Sequence, residues 1–172
     1  MLPDPLHPAI VHFPIVLLLL GAPLAILAIF LRNWHLPLLT ALVLTMGATG
    51  AMVATWTGEE EAEVVGELSG TADKILDEHE EWGERARNFG IGAAVLAILS
   101  VLLSRVPIAG RVLALLAAIV AIAAAVSVSR AGHYGGLAVY KHGIGVNTAA
   151  GAATAPKTPE KHPEKKHEKH HD

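Results

Sequence analysis

The chain has 172 residues, 52% of them hydrophobic and only 17% charged, with a net charge of −3 and a mean hydropathy of +0.46. That balance excludes an ordinary soluble domain and points to a protein with several membrane spans. The lack of cysteine excludes disulfides, thiolate metal sites, iron–sulfur ligation and covalent c-type haem attachment, and the small net charge leaves no nucleic-acid footprint.

The N-terminus, Met1-Leu2-Pro3-Asp4-Pro5, has no basic region of the kind that precedes a cleavable signal peptide, so the first apolar run is expected to remain in the mature protein. That run opens on His7-Pro8-Ala9-Ile10-Val11-His12-Phe13-Pro14. Two imidazoles at the mouth of a span mark a functional site, because an ionisable side chain there needs a partner.

Four apolar stretches reach the length of about 20 residues that a bilayer requires, at about 8–31, 36–56, 86–104 and 107–129. Pro8 suits a first helical turn, while Pro14 and Pro23 are expected to kink the first span. The short turns Arg32-Asn33-Trp34-His35 and Arg105-Val106-Pro107 make two antiparallel hairpins. Between them, Thr71-Ala72-Asp73 reads as an N-cap. Ile75, His79, Trp82, Ala86 and Phe89 follow at helical spacing, predicting an amphipathic extension over 71–88 that merges into the third span. The fold class is therefore all-α: a transmembrane four-helix bundle, up-down-up-down, with that helical extension at its outer end.

The tight turns and the start of the fourth span carry Arg32, Arg105 and Arg111 without acidic residues, whereas the other side carries Asp4 and the acid-rich stretch from Glu59 to Glu84, together with Lys74, Arg85, Arg87 and Lys141. Positive residues in short loops favour the cytoplasm. Both termini and the histidines His7, His12, His79, His133 and His142 are then expected on the periplasmic side of a bacterial inner membrane, with His35 in a turn on the other.

Rise along a helix orders these histidines in depth. Relative to the arginines of the turns, His12 and His133 stand about 30 and 33 Å up, and His7 and His79 about 37 and 39 Å. Two matched layers result, His12 with His133 and His7 with His79. Opposed imidazoles at equal depth are what bis-histidine ligation of haem iron needs.

Gly47, Gly50, Gly58, Gly90 and Gly92 allow close approach of a macrocycle or, equally, of a neighbouring helix. The alanines from Ala114 to Ala125 read as helix packing. The segment from Arg130 to Val146 is glycine-rich and is expected to leave the helix and fold back over the open end, bringing Tyr140 and His142 to the site. Arg85, Arg87 and Arg130 are candidates for haem propionates. Residues 147–172, rich in Lys and His, including His162, His167, His170 and His171, read as a disordered tail.

The His-Pro-x-x-Val-His-Phe-Pro opening, His79 and the run from Gly135 to Val146 together resemble the bacterial membrane family called domain of unknown function 2231. The resemblance covers about residues 7–146. It implies a small four-span membrane protein, and members look like companions of c-type cytochrome modules in respiratory chains.

The leading expectation is a subunit holding one or two haem b groups that moves electrons between the quinone pool and a periplasmic redox partner, such as a c-type cytochrome. His12 with His133 and His7 with His79 are the expected ligand pairs, with His142 as a substitute. One alternative is copper or zinc held by the same histidines with Glu59, Glu60 or Glu78. Another is a non-catalytic assembly or anchor subunit of a larger membrane complex. No hydrolase motif is present, and His79-Glu80-Glu81-Trp82-Gly83 does not complete a zincin helix. The spans lack the carboxylates of a proton-coupled transporter.

Overall fold

The computed structural model describes residues 7–31, 35–65, 68 and 70–144. Within them lie five helices: α1 (His7–Ile10), α2 (His12–Phe30), α3 (His35–Val65), α4 (Thr71–Leu102) and α5 (Pro107–His142). The segments α1 and α2 together act as one span. They are separated only at Val11, close to Pro14, whose missing N–H leaves the Ile10 carbonyl without its usual helical donor. Among the described residues no strand occurs, and four helical stretches are long and apolar enough to cross a membrane.

The helices close a ring in which α2 packs on α3 and α5, and α4 on α3 and α5. Small residues set the spacing. Ala114, Ala117, Ala118, Ala121 and Ala124 form a buried stripe along α5; Ala117, Ala118 and Ala121 share a core with Ala93, Ala94 and Ala97 of α4, and Ala124 with Ala86. Two large side chains are fully buried inside the ring, Leu44 of α3 and Leu18 of α2, and Leu18 sits where three helices meet. The Leu18 Cδ2 fills the space where Gly47 of α3 and Gly90 of α4 would each carry a β-carbon, 3.1 Å away in both cases. These glycines, with Gly92 against Val120, serve helix packing; helix–helix association in lipid depends on such close approach. Leu, Ile, Val and Phe side chains are exposed along all four spans, as a lipid-facing exterior requires.

At the hairpin-turn end, Ser100 donates a buried hydrogen bond of 2.8 Å to the Gly110 carbonyl, tying α4 to α5. Thr40 donates to the Leu24 and Leu36 carbonyls. At the opposite end the long helices run on. With a rise of 1.5 Å per residue, 32 and 36 residues span about 48 and 54 Å, against roughly 30 Å of hydrocarbon.

Two expectations are corrected. The glycine-rich segment from Arg130 does not fold back: α5 continues as helix through His142 and ends on Gly143 in the left-handed conformation, φ 64°. The physical reason is that α4 extends alongside and gives this stretch a partner, which outweighs the helix penalty of about 1 kcal/mol per glycine. Thr71 is likewise not the cap of α4. It is the first helical residue, and Gly70, at φ 70°, precedes it. The expected tail at 147–172, like Arg32, lies outside the described residues.

Candidate functional site

Each hairpin places one histidine in the same setting. His7, at the start of α1, points its Nδ1 at the Ala54 carbonyl of α3, 2.8 Å away. His79, on α4, points its Nδ1 at the Ala131 carbonyl of α5, 2.9 Å away. Four residues beyond each carbonyl stands a glycine that the ring covers. A β-carbon on Gly58 would lie 3.2 Å from Cε1 and Nδ1 of His7, and one on Gly135 would lie 2.9 Å from Cε1 of His79. Carbonyl and glycine, one helical turn apart, form a notch that fits an imidazole edge. The notch occurs twice, once per helix pair.

A carbonyl only accepts, so each Nδ1 must carry the proton and donate it. The neutral ring then keeps its lone pair on Nε2. Metal-binding histidines are oriented in this way. The two rings meet with centroids 6.0 Å apart and planes at 87°. The contact is T-shaped, one ring edge-on to the other.

Neighbouring groups hold His7 further. Its backbone N–H donates to Glu61 Oε1 at 2.7 Å, satisfying one of the free donors at a helix start. Thr57 Oγ1, buried on α3, lies 3.4 Å from His7 Nδ1 while donating to the Val53 and Ala54 carbonyls.

The other candidates lie elsewhere. His12 is exposed, its Nδ1 donating to the Pro8 carbonyl one turn back. His133 is exposed with its ring edge-on to Tyr134. Among the described residues nothing joins His12 to His133. His142 is exposed at the last turn of α5, and Tyr140 is almost wholly exposed.

Of the arginines, Arg85 pairs with Glu81. Arg87 binds Glu84 at 3.2 Å and Thr55 Oγ1 at 3.3 Å, and lies 4.0 Å from Glu59. Arg130 stacks on Trp82 at 5.3 Å, with Arg85 on the same indole at 4.6 Å. Trp82 itself donates from Nε1 to Glu78 at 3.0 Å. Trp82, Thr57, Glu61 and the two carbonyls are not among the site residues that the sequence marks. The carbonyls leave no trace in residue type; the repeat of glycine four residues after a small residue at Ala54-to-Gly58 and Ala131-to-Gly135 is the one signal available.

A family model described as a predicted membrane protein (DUF2231) matches residues 3–148. The chain belongs to this family. No curated protein matches it, and no solved structure does. As a DUF2231 membrane protein it meets lipid along its four apolar helices.

Proposed function

We propose that this DUF2231 protein is a haem-b-binding membrane subunit that carries electrons between the quinone pool and a periplasmic redox partner. The observation that carries the reading is the His7–His79 pair: two rings 6.0 Å apart, each with Nδ1 on a backbone carbonyl and Nε2 left to bind. Two imidazoles complete the coordination of a porphyrin-bound iron. A tetrahedral zinc site would need further donors, and among the described residues no group of three metal-binding side chains occurs. Two imidazole donors on facing helix pairs, each with its Nδ1 already tied to a carbonyl, are the donor set that a haem iron takes.

Bound haem would supply a one-electron iron couple, the chemistry being the cofactor's own. The chain's part is to hold both rings as neutral δ-protonated tautomers and bind an anionic edge. Of the three candidate arginines, Arg130 has the indole of Trp82 as its partner, whereas Arg85 and Arg87 already face carboxylates, so Arg130 is the one we assign to that edge. We take the turn end, whose short loops carry Arg32 and Arg105 without acidic residues, as cytoplasmic, although Lys74, Arg85, Arg87 and Lys141 lie at the histidine end; the pair would then face the periplasm, within reach of a c-type cytochrome.

The test is the absorption spectrum of the purified full chain, oxidised and reduced, after haem supplementation. A Soret band that shifts on reduction and is lost in His7→Ala and His79→Ala is the expected result. Absence of a Soret band, or stoichiometric copper or zinc without iron, overturns the proposal.

A further inference from the structure

We infer that the duplicated notch makes the protein, rather than the ligand, set the orientation of the two imidazoles, holding them as a perpendicular axial pair. The inference rests on the haem reading above and adds Gly58 and Gly135 as positioning residues.

Rotation of an imidazole about its axis toward a metal is ordinarily soft. Here each ring is fixed at two points. Nδ1 is tied to the carbonyl of Ala54 or Ala131, and the Cε1 edge lies in the gap left by Gly58 or Gly135. A ring held by a hydrogen bond at one atom and by packing along the adjoining edge cannot turn without losing one of them. Because the notches belong to different helix pairs, the 87° between the planes is set by how the two hairpins pack. Supporting hydrogen bonds of this type fix ring orientation and tune the bound metal.

Mutual orientation of axial imidazoles has its own spectroscopic signature. Perpendicular planes leave the two upper-lying iron d-orbitals nearly degenerate and give a ferric low-spin resonance with one very large g-value. Parallel planes split those orbitals and give a three-line rhombic spectrum. Low-temperature electron paramagnetic resonance of the ferric, haem-loaded full chain therefore reads the angle directly.

The expected wild-type result is the single large-g signal. Gly135→Ala puts a methyl 2.9 Å from His79 Cε1 and should move that signal toward the rhombic form. Loss of low-spin haem in this variant counts the same way, because the ring has been displaced. Gly132→Ala, on the same helix with nothing within 4 Å of its added carbon, should match wild type. A rhombic wild-type spectrum with an intact Soret band overturns the orientation inference and leaves the haem reading standing. So does a Gly135→Ala spectrum identical to wild type. A chain that takes up no haem overturns both.

Discussion

Leu44, fully buried on α3, occupies the space where Gly21 of α2 would carry its β-carbon. The fit lets the first two spans approach closely in the half of the bundle nearest the turns. It also makes Gly21 intolerant of the smallest enlargement.

Gly21→Ala should destabilise the bundle by about 1–3 kcal/mol, the usual range for overpacking a close contact. The gain in helix propensity, about 1 kcal/mol, works in the opposite direction. Gly132→Ala makes the same propensity gain in open space and should be neutral or stabilising. Thermal unfolding of both variants in detergent checks this; equal midpoints would mean that Leu44 moves aside freely.

Ser100→Ala removes the one buried side-chain hydrogen bond from α4 to the Gly110 carbonyl of α5. Bonds of this kind between membrane helices average about 0.6 kcal/mol, so a small loss of stability, on the order of 1 kcal/mol or less, is expected. A loss of several kcal/mol in denaturant unfolding would show that the bond organises the second hairpin turn.

Arg87→Ala should matter little. Its carboxylate partners Glu59 and Glu84 are both more than half exposed, and exposed pairs contribute about 0–1 kcal/mol and are screened by salt. The difference from wild type should shrink further in high-salt unfolding curves; a difference that grows with salt contradicts an electrostatic tie between α3 and α4.

His12→Ala and His133→Ala should keep the haem spectrum that His7→Ala and His79→Ala lose. Absorption spectra of the four variants, prepared alike, decide between the two layers. Loss of the Soret band in His12→Ala with retention in His79→Ala would move the ligand set to the outward-facing layer.

Depth and azimuth divide what was legible at this site. Helical rise alone matches His7 with His79, and the two rings do meet. The same arithmetic matched His12 with His133 but carried no information about facing. His12 follows His7 by five residues, about 140° around a helix of 3.6 residues per turn. His133 follows the buried Ala131 by two, about 200° around. Neither ring can share the inward face.

By itself the sequence determined the all-helical membrane class, the four spans and their hairpins, because those follow from local apolar length and turn spacing. Only the tertiary structure decided that the glycines after Arg130 stay helical and that Gly135 receives His79. Both depend on a neighbour across the bundle, and helix propensity describes a glycine without neighbours. The orientation of the imidazoles belongs to the same class. It is set by two backbone carbonyls, and every residue has one whatever its side chain.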